Sequence, residues 1–183
     1  MNLIYSFVIV VALLFLPNIA YTNDTDSEQV ELRFCVRNPE ATNPTYELLF
    51  FVKGKQIARR IFKEGKTIFQ EGEIPNGVAI ERYDSGKTKN ILIFKNGKRN
   101  GKAVGFYESG KLKKTVTFRD DNPVGETKMY YENGNLMMES RVENGKQVFY
   151  RDCYPNGQLK QEVYYEGDEI VRKMHDIDGE ETD

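Results

Sequence analysis

From about residue 74 onward the chain alternates apolar and polar side chains, and glycines interrupt the alternation at regular intervals. A period of two with one apolar side marks half-buried β-strands. Leu112, Val116 and Phe118 fall on one side of such a strand, and Lys113, Thr115 and Thr117 on the other. The same positions give Leu136, Met138 and Val142 against Met137, Glu139 and Arg141. They recur as Leu159, Val163 and Tyr165 against Lys160, Glu162 and Tyr164. Thr88, Leu92 and Phe94 continue the row upstream, where Ile91 and Ile93 make the second side apolar too.

The interruptions are themselves periodic. Tyr83-Asp84-Ser85-Gly86, Tyr107-Glu108-Ser109-Gly110, Tyr131-Glu132-Asn133-Gly134 and Tyr154-Pro155-Asn156-Gly157 align, with the tyrosines 24, 24 and 23 residues apart. A Ser or Asn followed by Gly predicts a turn whose last residue needs a positive φ, which glycine adopts without a Cβ penalty. Gly86, Gly110, Gly134 and Gly157 are therefore read as structural turn glycines, and the four tyrosines beside them as packing residues. Gly77, Gly101 and Gly125 precede the first three tyrosines by six. Asn96-Gly97, Asn144-Gly145 and Glu166-Gly167-Asp168 fall where a second turn must join repeats, and Asp120-Asp121-Asn122-Pro123 stands there once. The expectation is strand, turn, strand, turn throughout: an all-β, elongated antiparallel sheet of tandem hairpins that share one apolar row, because a lone hairpin is marginal.

The flanks divide the chain further. Residues 1–20 contain no charged side chain, and Phe7 to Leu16 is wholly apolar before Pro17, which reads as a secretory signal peptide. An uncleaved anchor is the other reading, since Leu3 to Ala20 is at the short limit for a membrane span. Residues 21–29 form a polar linker without regular structure, and 168–183 an acidic C-terminal tail. Between them, 30–73 is a cap and 74–167 the repeat array. In the cap Val30, Leu32, Phe34 and Val36 alternate as a strand, and Tyr46 to Val52 is a second one. Phe62-Lys63-Glu64-Gly65-Lys66-Thr67 then echoes the tyrosine turn as a shortened first repeat.

The periodic motif, Tyr-x-[Ser/Asn]-Gly-x-Leu with a further Gly six before the next Tyr, resembles the variant MORN repeat and is similar to the YwqK-type, antitoxin-like family. The resemblance covers about residues 53–167. It implies hairpin repeats and a role in protein contacts, and some MORN proteins are linked to membrane lipids.

Charge sharpens the picture. The net charge of −2 supplies no global field for nucleic acid, so no nucleic-acid partner is expected. Locally, residues 87–119 hold ten basic side chains and one acidic, whereas 120–183 hold seven basic and sixteen acidic. Lys98, Arg99, Lys102, Lys111, Lys113, Lys114 and Arg119 are the candidate binding residues of the basic stretch, for an acidic protein or an anionic lipid surface. Tyr130, Tyr150, Tyr164 and Tyr165 fall outside the turn register and are candidates for surface contacts.

Reactive chemistry is sparse. The one histidine, His175, lies in the acidic tail with no nucleophile–base pattern around it, so no catalytic residue and no enzyme activity is expected. Cys35 and Cys153 lack the short spacings of a zinc site, and no metal or cofactor is expected. Four stacked hairpins extend roughly 38 Å, which argues against a bond between the two cysteines. Asn23-Asp24-Thr25 is a glycosylation sequon that matters only in a eukaryotic secretory pathway. Taken together, the sequence reads as an exported scaffold that binds another protein through one sheet face, with an antitoxin or an envelope lipid binder as alternatives. Open sheet edges at the ends of the array are a route to self-association.

Overall fold

A computed structural model describes residues 29–37, 39–64, 66–166, 169–175 and 181–182. The signal-peptide segment 1–20, residues 21–28 of the linker with their sequon, Gly167 and Asp168 of the last predicted joining turn, and 176–180 and 183 of the tail lie outside them. Fifteen strands form one sheet, and no helix occurs among the described residues, as the hairpin pattern predicts. The strands are β1 (Val30–Arg37), β2 (Thr45–Val52), β3 (Lys55–Lys63), β4 (Lys66–Gly72), β5 (Gly77–Arg82), β6 (Thr88–Lys95), β7 (Lys98–Arg99) and β8 (Gly101–Phe106). They continue as β9 (Leu112–Arg119), β10 (Asn122–Tyr130), β11 (Leu136–Glu143), β12 (Lys146–Cys153), β13 (Leu159–Glu166), β14 (Glu169–His175) and β15 (Glu181–Thr182).

Two turn types alternate through the array. At the tyrosine turns Gly86 N donates to Tyr83 O at 2.8 Å and Tyr83 N to Lys87 O at 2.9 Å, and the same pair of bonds recurs at Tyr107, Tyr131 and Tyr154. The glycines there have φ of 82, 90, 96 and 93°, the left-handed end of a three-residue hairpin loop. The joining turns are two residues long with both φ positive, as at Asn96-Gly97 (51 and 72°), Asn144-Gly145 (51 and 76°) and Asp120-Asp121 (50 and 69°). The stretch from Phe62 to Thr67 has the length of this second type: Lys63 pairs with Lys66, and Glu64 after Lys63 has a φ of 52°. It is therefore not a shortened tyrosine turn, because it lacks the extra residue that such a loop needs.

A bulge follows every tyrosine turn and corrects the predicted rows. Phe106 pairs with Leu112, but Gly105 pairs with Lys114, so Lys113 is an extra residue in its strand. Lys89, Met137 and Lys160 are extra in the same way. A one-residue register shift swaps the sides. Leu112, Leu136 and Leu159 consequently lie on the face opposite Val116, Met138 and Val163, and Leu112 is exposed. Lys114 lies on the face of Val116 and Phe118, as alternation within the strand places it.

The simple strand order also fails at one place. The sheet runs β15-β14-β13-β12-β11-β10-β9-β8-β6-β5-β1-β2-β3-β4, and β1 pairs with β5 in parallel. The β1–β4 meander thus joins the array through its first strand, and residues 73–76 return the chain from β4, burying Ile74 on the way. One face of the meander then packs over the same face of β5–β8. Val30, Leu32, Leu48, Phe50, Ala58, Ile74, Ala79 and Phe94 form the resulting core. Phe50 meets Phe94 edge-on with ring centres 5.1 Å apart, and burying each ring stabilises by about 2–3 kcal/mol. We call this face inner. Beyond β8 no inner-face residue of the described array is buried. The stretch read as an acidic tail opens with a further strand, since Glu169–His175 pairs with β13 and satisfies its otherwise open edge.

Candidate functional site

The repeats lock together through their turns. Tyr83 Oη donates to Phe106 O at 2.8 Å, Tyr107 Oη to Tyr130 O at 2.7 Å and Tyr131 Oη to Cys153 O at 2.9 Å. Each hydroxyl therefore bonds the carbonyl just before the next tyrosine. The residue after each turn glycine adds a rung: Lys87 Nζ donates to Glu108 O at 2.9 Å, Lys111 Nζ to Glu132 O at 2.8 Å and Asn135 Nδ2 to Pro155 O at 2.9 Å. The bulge lysines cover the rings, with Lys89 Nζ 5.7 Å from the Tyr83 centre, Lys113 5.1 Å from Tyr107 and Lys160 6.0 Å from Tyr154.

The predicted basic residues stand in different settings. Lys111 is tied into the turn ladder, and Lys98, Lys102 and Arg119 are exposed. Arg99 is held by Asp121, whose Oδ1 accepts from its backbone N at 2.9 Å and its Nε at 3.0 Å. The predicted polar row is split as well. Lys113 and Lys160 leave it through their bulges, and its acids are engaged on the outer face. Arg151 Nε donates to Glu162 at 2.9 Å, and Lys128 Nζ lies 2.9 Å from Glu126 and 3.6 Å from Glu139. The Lys128 pKa is raised, mainly by the Glu126 hydrogen bond, and the Arg151 pKa is raised by Glu162.

What the fold does bring together is a cleft between the meander and the inner face of β5–β9. It encloses about 340 Å³ and has apolar walls that include Leu32, Leu48, Phe62, Leu92 and Val116. At its edge Phe34, Tyr46 and Phe62 cluster, with Tyr46 stacked on Phe62 at 5.5 Å. Four cations, Lys89, Arg99, Lys113 and Lys114, and one carboxylate, Glu81, share the lining. Glu81 is buried, accepts from Asn90 Nδ2 at 2.5 Å and pairs with Lys89 Nζ at 2.7 Å. Lys114 has no hydrogen bond or ion pair among the described residues; its stem runs over Gly105, where a Cβ would sit 2.8 Å from its Cγ. The protein mass around the Lys114 stem pulls its pKa down even though the residue keeps exposed surface, with Glu81 opposing and Lys113, Arg99 and Lys89 adding to the fall.

Of the predicted binding residues, only Arg99, Lys113 and Lys114 line this cleft. Glu81 and Asn90 pair across the sequential β5–β6 hairpin, and Leu32, Leu92 and Val116 belong to the apolar rows read from the sequence; what the sequence did not show is the β1–β5 pairing that brings the meander over them. One signal was present: Asn90 and Lys114 both stand seven residues after a turn tyrosine, as polar residues at positions that alternation makes inward-facing. Among the described residues no group of three or more His, Cys, Asp or Glu could hold a metal ion, and no helix is long and apolar enough to cross a membrane.

Turn ladder, bulges and shared inner face define a tandem β-hairpin repeat protein. The profile of the MORN repeat variant matches residues 99–120, 123–144 and 153–166, so this stretch is similar to MORN repeats of the variant type. The Tyr83 turn lies outside those segments yet makes the same bonds, which extends the structural repeat upstream. Comparison with curated proteins finds no match. Among solved structures, the "Glycosylation Associate Protein (Gap123) complex from Streptococcus agalactiae" is similar at 19% identity and a TM-score of 0.32, over 56% of this chain and 19% of that one. The chain thus spans about a fifth of the length of that solved chain.

Proposed function

We propose that the protein is an exported, non-catalytic scaffold that binds another protein through the inner face of β10–β13. The observation that carries this reading is the extent of the meander, which covers the inner face only as far as β8 and β9. Beyond it, Met129, Met138, Tyr150 and Val163 stay half-exposed on one continuous face. Paired methionines suit an adaptable contact surface. Within the same row, Asp152 has one carboxylate oxygen without a hydrogen-bond donor and the other 3.7 Å from Lys160 Nζ. Tyr150 beside it has its pKa raised, chiefly by burial and then by Asp152.

The turn ladder supports the scaffold role, because it uses side chains for rigidity rather than chemistry. The apolar segment 1–20 supports export, and N-terminal sequencing of the mature protein tests its removal. The face is tested by a photo-crosslinking side chain placed at Met138 or, on the outer face, at Lys128, followed by identification of adducts from the native envelope fraction. A discrete protein adduct from position 138 alone supports the reading. Equal adducts from both positions, or none, overturn it. A toxin as that adduct would identify an immunity protein of the YwqK antitoxin-like kind.

A further inference from the structure

We propose that the cleft between the meander and β5–β9 is a binding site for a single-chain amphipathic carboxylate, with its tail among the apolar walls and its head on Lys114. The site is independent of any protein docked on β10–β13. The argument starts from volume and lining. A space of about 340 Å³ is at the small end of ligand pockets, which are mostly apolar with a few placed polar groups. Leu32, Leu48, Phe62, Leu92 and Val116 supply the apolar part from two layers of the sheet.

The charge of the head follows from which cations are already committed. Lys89 is paired with Glu81 at 2.7 Å, and Arg99 with Asp121 at 3.0 Å. Lys113 sits over the Tyr107 ring at 5.1 Å. Lys114 alone of the four lining cations has neither an ion pair nor a ring contact among the described residues. One uncommitted ammonium among apolar walls matches one negative charge, hence a carboxylate rather than a doubly charged phosphate. The absence of a side chain at Gly105 is part of the site. It lets the Lys114 stem lie flat on the sheet, beside Asn90, instead of standing out in water.

The test is calorimetric titration of the protein with dodecanoate below its micelle-forming concentration. Dodecylammonium serves as the opposite head on the same tail, inorganic phosphate as an anion without a tail, and vesicles of anionic phospholipid as a membrane surface. The proposal expects saturable one-to-one binding of dodecanoate, weakened about tenfold or more in Lys114→Glu, with circular dichroism unchanged by this exposed substitution. Lys102→Glu, on the outer face, is expected to leave the affinity as it was. Four results would overturn the idea: no dodecanoate binding, equal affinity for dodecylammonium, competition by phosphate alone, or recruitment to anionic vesicles that dodecanoate does not displace.

Discussion

Arg60 on β3 and Asp121 in the β9–β10 turn are 61 positions apart in the chain, and Arg60 Nη1 donates to Asp121 Oδ2 at 3.4 Å. Arg60 is buried, bonds Gln70 Oε1 at 3.1 and 2.9 Å and reaches the Gly97 carbonyl. Burial pulls its pKa down and Asp121 opposes that fall. One aspartate therefore clamps the meander and Arg99 to the same turn, which accounts for Asp-Asp where the other joining turns end in Gly.

Removing that carboxylate leaves a buried guanidinium without its anion. Asp121→Ala is expected to destabilise by roughly 2–3 kcal/mol, discounted for the 30% exposure of the Asp121 side chain. In Arg60→Met the same Asp121 change is expected to cost less. Urea denaturation of the two single variants and the double variant measures the coupling, and strict additivity would show that the clamp contributes nothing.

The tyrosine ladder predicts a graded series. Tyr107→Phe keeps the ring and deletes the bond to Tyr130 O, at a cost of about 1 kcal/mol. Gly110→Val forces a branched residue to a φ of 90° and is expected to cost roughly 2–3 kcal/mol. Thermal melts that ranked these two in the opposite order would contradict the roles assigned to ring and turn.

Acid sensitivity is expected to trace in part to Glu47. Its pKa is lowered, first by the hydrogen bond from Arg37, with burial opposing and Arg59 assisting. A carboxylate with a lowered folded pKa contributes stability above its ordinary value of 4.5, and that contribution is lost as the pH falls through the folded value. The melting temperature of the wild type should therefore drop below about pH 4.5. Glu47→Gln should start lower at neutral pH and fall less steeply over that window.

The two thiols should separate by reactivity. Cys35 is exposed on β1, whereas Cys153 is buried on β12 and has its pKa raised, chiefly by burial. Six strands lie between β1 and β12 in the sheet. Thiol titration of the purified protein is expected to find one fast group and a second only after denaturation. A non-reducing gel showing an intramolecular bond would contradict that order of strands.

Sequence alone determined the local chemistry of this protein. Turn position, turn type at the tyrosine repeats and the all-β class follow from glycine's access to positive φ and from period-two alternation, both properties of neighbouring residues. Glu64-Gly65 suits either turn by residue type, and only loop length, set by the Lys63–Lys66 pairing, distinguishes a joining turn from the shortened repeat expected at Phe62. Side-chain facing was legible between bulges and not across them, which is why Leu112 lies opposite Val116 while Lys114 stays on the Val116 face. Tertiary structure decided the rest. The parallel pairing of β1 with β5 joins strands nearly fifty residues apart, and no local signal encodes it; burial of Leu32, Phe50 and Phe94 against one another does. From that one pairing come the folded-over meander, the cleft beneath it, the uncommitted Lys114 within it and the bare inner face beyond.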